Sequence, residues 1–443
     1  MERIQARPYV QGDSSGLELR EGATKLTDGA GLVQLRSVMD ALELGRWLDA
    51  EGGGEQEHYR LSLMVEVWSA LLLYGGSHME HLRWMQERGV GELFGWERVP
   101  HPVTFGRWLR RESKAKSRRV EEALRHVVRA RWGTEVPKSV MLILDATVVV
   151  RYGKKQAGAE VGYNPKKRGR PSHHPLVAFL STGDCLGVRW RPGNANCAAG
   201  AVEWITDLVE WLRSAGVEEI TVRLDKGFYS KATAEALEEL GVKFVLKVPE
   251  SRVIQSRKGA FAEPRERAFR NESLWISEGQ SWGLRLMSVE ERKRLGSAAG
   301  ELDLGAYEVG LRATMLTNVE GIDAYEAWTL YNAGAVVEQR IEELTQLSVG
   351  RTAVDDLGGN ALLWAMGALT YELMHVLRTK ALPESWKTAQ PNRLRSWLFR
   401  MPAKLVRHAR RWTVQLRRGE PLAQVLPEAV RSLQGNRVPA LAM

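Results

Sequence analysis

Hydrophobic positions in the first third of the chain recur at helical spacing. Leu32, Leu35, Val38 and Leu42 form one stripe and Leu61, Met64, Val65, Trp68 and Leu72 another, so the pattern predicts an all-α region as far as about Trp132. Its last part, from Phe105 to Arg131, is a helical segment carrying Arg107, Arg110, Arg111, Lys114 and further basic residues. Such a face is either solvated or set against a polyanion.

After Pro137 the period changes. Ser139–Val150 is a β-branched run too short for a typical helix, and the runs His174–Ser181 and Leu186–Arg191 flank the turn residues Gly183 and Asp184. An amphipathic helix with Val202, Ile205, Val209 and Leu212 follows, then a strand over Glu219–Asp225, a helix over Lys231–Leu240 and a strand over Val242–Val248. The order βββαβαβ describes a mixed sheet covered by helices. Few α/β layouts open with three consecutive strands, and the RNase H-like fold is one of them.

From about Pro249 to Tyr325 the sequence is charged and less periodic, with candidate strands at Leu274–Ile276, Leu284–Met287 and Leu311–Leu316, which suggests an inserted β-containing unit. Helical spacing returns over Ala327–Leu347 and Ala361–Leu377. Beyond Asn392, Arg393, Arg395, Arg400, Lys404 and Arg407 alternate with apolar residues as in a second basic helical segment. The resulting division is a helical N-terminal DNA-binding region (1–135), the first part of an RNase H-like core (136–250), an insertion subdomain (251–325), the second part of the core with its glutamate helix (326–380) and a basic helical C-terminal region (381–443).

Composition narrows the classes. A hydrophobic fraction of 44% with 26% charged residues suits a folded protein, and a formal charge of +9 favours a polyanionic partner. Only Cys185 and Cys197 are present, so neither a disulfide framework nor a CxxC metal knuckle can be built, and a reducing cytosol fits. Residues 1–10 lack the apolar core of a secretory signal, and the most apolar stretch is interrupted by Glu372 and His375, so no membrane partner is expected.

Two aspartates stand out. Asp145 follows an apolar run from Met141 to Leu144, and Asp225 ends the strand Ile220–Leu224, which an RNase H-like sheet places beside the first. Taken singly, each could cap a strand end and pair with a neighbouring cation, Asp145 with Arg151 and Asp225 with Arg223 or Lys226. Taken together, two converging carboxylates repel each other unless one is protonated or a cation lies between them, and a divalent metal pair is the common solution in phosphodiester chemistry. A third acid is available after the insert, where Tyr331, Gly334, Glu338 and Thr345 fall on one face of a continuous helix.

These residues resemble the DDE transposases of bacterial insertion sequences, in the subgroup called DDE group 1. Leu144-Asp145-Ala146-Thr147, Tyr152-Gly153, Gln156 and Gly162 through Pro175 resemble the first-aspartate block. Arg223 through Phe228 resemble the second, and Thr317-Asn318, Leu330-Tyr331-Asn332 and Glu338 through Leu344 resemble the glutamate block. The resemblance implies that Asp145, Asp225 and Glu338 are the catalytic triad and hold two Mg2+ ions, for which Mn2+ can substitute. It implies cleavage at terminal inverted repeats followed by attack of the freed 3′-hydroxyl on target DNA. The expected partner is double-stranded DNA, engaged by a homodimer in the bacterial cytoplasm at the nucleoid. Two alternatives are a catalytically impaired DNA-binding descendant and an RNase H-like nuclease without strand transfer.

Further contacts are expected from the same blocks. Lys166, Lys167, Arg168 and Arg170 lie in a Gly- and Pro-rich run suited to a phosphate-binding loop. His173 lacks a partner at metal-ligand spacing and is assigned to a loop hydrogen bond or a phosphate. Tyr331 and Arg340 are expected to face DNA with the glutamate, as are Arg107, Arg110 and Arg111 on the basic helix. Trp275 and Trp282 in the insert are candidates for stacking on a flipped base. The chain departs from the resemblance in having Gly334 where an arginine is usual, Thr345 for a lysine and Gln339 for an asparagine, so Gly334→Arg with Thr345→Lys is expected to raise cleavage. Arg340 and Arg351 are the nearest cations that could take over.

Overall fold

A computed structural model of the chain describes residues 26–49, 59–152, 155–165, 167–252, 261, 265–269, 272–294, 307–334, 336–347, 354–408 and 411–419. It begins with a short strand, β1 (Leu26–Thr27), and then the predicted helices: α1 (Val33–Ala41), α2 (Leu44–Asp49), α3 (Leu61–Tyr74), α4 (Leu82–Glu87), α5 (Val90–Phe94), α6 (Pro102–Arg110) and α7 (Ser113–Trp132). Helix α3 is apolar on nearly every side and is buried along most of its length; it stops at Gly75, whose φ of 105° suits a left-handed C-terminal cap. Helix α6 starts on Pro102 with the His101 side chain accepting from the Val103 N–H, which satisfies one of the free donors of its first turn.

The middle of the chain follows the predicted order: β2 (Ser139–Ala146), β3 (Val149–Val150), β4 (Ser172–His173), β5 (Leu176–Leu180), β6 (Cys185–Arg189), α8 (Ala201–Ser214), β7 (Glu219–Leu224), α9 (Lys231–Glu239) and β8 (Lys243–Lys247). The run expected to be one strand through Val150 breaks after Ala146, and β3 forms its own two-stranded ladder with β4. In the main sheet the strands lie in the order β6-β5-β2-β7-β8; β2 is antiparallel to β5 and parallel to β7, and β7 is parallel to β8. This is the RNase H-like arrangement.

The segment expected to be an inserted β-containing unit continues this sheet. Strands β9 (Arg265–Phe269), β10 (Glu272–Ser281), β11 (Leu284–Arg294) and β12 (Tyr307–Thr317) add to its edge through β12 and β8, where Met315 pairs with Lys247, giving nine strands in all. Thereafter come α10 (Ala324–Ala333), α11 (Val336–Leu347), α12 (Leu357–Val376) and the short α13 (Pro391–Leu394). The predicted basic helix beyond Arg400 is a β-hairpin instead, β13 (Ala403–His408) with β14 (Arg411–Leu416), and β13 also pairs with β1. Alternation explains it: Ala403 and Leu405 are buried while Lys404 is exposed, a period of two that the surrounding arginines disguise.

Among the described residues three cores form, two on opposite faces of the sheet and a third, with Tyr331, between α10 and strands β8 and β10–β12. Leu142 and Leu144 of β2 point toward α8 and α9, whereas Ile143 and Asp145 point to the other face, where α12 packs with the N-terminal helices. Helix α12 is buried on all sides, including Glu372 and His375, and joins α3, α6 and α7 to the sheet. The N-terminal helices therefore share one core with the nine-stranded sheet. Among the described residues no helix is long and apolar enough to cross a membrane.

Candidate active site

Strands β2 and β7 pair in parallel with Leu144 opposite Leu224, so Asp145 and Asp225 occupy the next position on each strand at the same end of the sheet. Residues two apart on a strand share a face, so Asp225 shares its face with Arg223 and Asp145 shares its own with Ile143. Asp145 Oδ1 accepts from the Ala146 N–H at 2.7 Å. Burial pushes its carboxyl up from near 3.8 to about 6; the Ala146 N–H opposes this, Asp225 adds to it, Arg223 opposes it and Glu338 adds to it. Asp145 therefore lies within the fields of both other acids.

Tyr331 comes from α10. Its hydroxyl donates to Asp225 Oδ1 at 3.1 Å, its ring is buried, and burial is the main cause of its strongly raised pKa. The single helix expected to carry Tyr331, Gly334, Glu338 and Thr345 is instead two elements, with residue 335 between them outside the described residues. Helix α10 ends at Ala333 with Gly334 as its cap, and α11 starts afresh at Val336. A Cβ on Gly334 would lie 2.7 Å from Arg223 Cδ and 2.8 Å from its Nε, and that Nε donates to the Tyr331 carbonyl at 3.1 Å. The position left by the missing side chain is therefore filled from β7, and Gly334→Arg beside an intact Arg223 would collide. Glu338 sits exposed in the first turn of α11, where a carboxylate complements the positive end of the helix dipole. Thr345 is exposed, with its hydroxyl donating to the Ile341 carbonyl.

The donor set of Asp145, Asp225 and Glu338 consists only of hard carboxylate oxygens, which suits Mg2+ or Mn2+. Two of the three cations offered as simple partners make contacts elsewhere: Arg151 Nε contacts His173 Nδ1 at 3.3 Å, and Arg223 Nε donates to the Tyr331 carbonyl, while Lys226 is exposed. Burial raises the Asp145 carboxyl and Asp225 and Glu338 add to the rise, a charge balance that a divalent ion would relieve, although the ligand atoms of the three acids do not all lie within 4.8 Å of one another.

The remaining predicted residues divide into exposed and internal groups. Lys167, Arg168 and Arg170 are exposed, with Lys167 Nζ bonded to the Tyr152 hydroxyl and Arg170 also over that ring; Lys166 lies outside the described residues, as does Arg351. Arg107 and Arg111 are exposed, and Arg110 is bonded to Asp355 through Nε (3.0 Å) and Nη2 (2.7 Å). His173 is fully buried, contacting the Ala157 carbonyl at 3.0 Å, so it anchors the loop and cannot reach a phosphate. Arg340 Nη1 donates to Glu343 at 3.1 Å, leaving 19% of the arginine side chain exposed. Trp275 is half-buried on β10, paired across from Glu290. Trp282, at the β10–β11 turn, is 39% exposed and stacks on Tyr229 with ring centroids 4.9 Å apart.

Two neighbours of the acids were not singled out by the sequence as parts of the site. Arg223 was visible only as a nearby cation. Cys197 packs against Gly227, two residues beyond Asp225, and feels both aspartates; burial is the main cause of its raised pKa. Arg191 holds its loop by donating to the carbonyls of Asn196, Cys197 and Ala199. A separate buried group, Asp184, Glu372 and His375, has its potential ligand atoms within 4.8 Å of one another. It belongs to the β5–β6 turn and α12, near the start of β2 and away from Asp145, and Arg131 Nε donates to Asp184 at 2.7 Å.

No curated protein matches the chain. Among solved structures it is similar to the piggyBac transposase in a synaptic complex with hairpin DNA, with a TM-score of 0.38 and 12% identity over 83% of this chain and 79% of that one. Residues 15–438, nearly the whole sequence, match the family described as Transposase DDE domain group 1, and the chain belongs to that family.

Proposed function

We propose that the protein is a DNA transposase that binds terminal inverted repeats, cleaves at them and joins the ends to target DNA. The observation that carries this is the pair Asp145 and Asp225 at adjacent parallel strand ends, with Glu338 within electrostatic reach, in a chain of the DDE family. Asp145, Asp225 and Glu338 would hold divalent metal, two Mg2+ ions or Mn2+ in their place. A metal pair there supplies activation of the attacking oxygen and stabilisation of the leaving oxygen at the scissile phosphodiester.

The chain's own residues do the rest. Tyr331 fixes the orientation of Asp225 through its hydroxyl. The exposed Lys167, Arg168 and Arg170 follow the first aspartate and would track the DNA backbone, with Arg107 and Arg111 as a second basic surface and the protein acting as a homodimer on DNA. Trp282 would offer a base its exposed area, or surrender Tyr229 to it.

The test is nicking of a duplex carrying the element's end in Mg2+, followed by strand transfer of pre-cleaved ends into a plasmid. Asp145→Ala, Asp225→Ala and Glu338→Ala should each abolish both reactions while end binding persists. Binding without nicking by the natural protein would make it a DNA-binding descendant. Nicking without transfer would make it a nuclease.

A further inference from the structure

Position 334, where the resemblance leads one to expect an arginine, carries a glycine, and the structure shows which side chain lies against it. Gly334 has φ −75° and ψ −4°, a conformation open to any residue, so backbone strain does not require a glycine there. The constraint is the side chain of Arg223, whose Cδ and Nε lie 2.7 and 2.8 Å from where a Cβ would stand. Arg223 is only 6% exposed, an unusual place for a guanidinium unless it has work that offsets its desolvation.

Its surroundings define that work. Nε donates to the carbonyl of Tyr331 in the last turn of α10, where a cation complements the negative end of the helix. The guanidinium carbon lies 4.2 Å from the centroid of the Tyr331 ring, within cation–π range. The hydroxyl at the far end of that ring holds Asp225, two residues beyond Arg223 on the same face of β7. One side chain thus grips both the backbone and the ring of the residue that orients the second acid, and its charge opposes the rise in the Asp145 pKa.

We infer that Arg223 is the positioning arginine of this active site, supplied from the second-aspartate strand in place of a side chain at position 334, and that Gly334 is the vacancy that admits it. The inference rests on the transposase reading. It has a consequence that a purely structural arginine would not have: the arginine is needed once, and either position can supply it.

The experiment is a two-site exchange measured by nicking of end-bearing duplex in Mg2+, with affinity for the same duplex measured in Ca2+ and thermal unfolding measured on each protein. R223M, which keeps the length but loses the charge and the fork, should lower the nicking rate at saturating DNA by on the order of 10–100-fold while affinity changes little. R223K should recover part of that loss. G334R alone should lower both the melting temperature and the rate, because its Cβ meets Arg223. R223A/G334R should nick faster than either R223A or G334R and melt above G334R, so the two changes are strongly non-additive. The inference is overturned if R223M nicks at the natural rate, or if the double variant shows only the combined losses of the singles. If the natural protein binds ends but never nicks, the transposase reading fails first, and the melting data then show only whether the two side chains compete for one space.

Discussion

The Tyr331 hydroxyl donates to Asp225 Oδ1 at 3.1 Å across 106 residues of sequence, tying the end of α10 to the end of β7. Removing that hydroxyl removes one of the few fixed donors on the acid. Tyr331→Phe should keep the fold and DNA affinity while lowering the nicking rate by about tenfold, the scale of a misoriented catalytic group. Natural-rate nicking by this variant would mean that Asp225 is held without it.

Asp145 carries a stability cost. Its folded-state carboxyl binds a proton more tightly than an unfolded one, so stability is lost as pH rises from near 3.8 through about 6, and the loss is complete above that. Asp145→Asn should therefore stabilise the protein in EDTA by about 2–3 kcal/mol at pH 7 and by almost nothing at pH 4. Thermal or urea unfolding at the two pH values measures this. An equal effect at both would assign the change to packing rather than charge.

The loop after the first aspartate gives a salt-dependence prediction. Lys167, Arg168 and Arg170 are exposed, and Lys167 is tied by its side chain only to the hydroxyl and ring of Tyr152 among the described residues. Replacing all three by alanine should flatten the slope of log affinity against log salt by about 0.9 for each phosphate no longer neutralised. An unchanged slope would return this segment to an ordinary solvated loop.

The buried group on α12 behaves differently. Burial pushes the Glu372 carboxyl well up, and Asp184 pushes it further, so the fold favours its protonated form; that contribution to stability is fully present below the ordinary carboxyl value and lost as pH rises through the folded pKa. Glu372→Gln mimics the neutral acid and should cost less than about 1 kcal/mol at pH 7, whereas Arg131→Met strips Asp184 of its cationic partner, leaving it the Thr182 and Trp132 side chains as donors, and should cost about 3–5 kcal/mol. Similar losses for both variants in urea unfolding would show Glu372 to be ionised.

The catalytic sheet was legible because β2, β5, β7 and β8 are short apolar runs with turns between them, and a strand that ends on a lone acid is conspicuous. What the sequence concealed were directions and distant neighbours. Arg340 and His173 carry the right chemistry for a phosphate, but nothing local says that one points to Glu343 and the other into the core. The crowding at Gly334 was hidden because Arg223, the side chain that lies against it, sits on a distant strand. The terminal hairpin was missed because β13 is stabilised by β1, at the other end of the described chain.

That last pairing bears on how the protein comes into being. Leu26 and Thr27 wait for Lys404 and Ala403, and the N-terminal helices wait for α12, before their surfaces are covered. During synthesis the first helices to emerge would expose apolar faces until most of the chain has been made, a burden that contacts of such long sequence separation impose on folding rate. Chains interrupted near residue 350 should therefore accumulate as chaperone clients rather than as a free helical module.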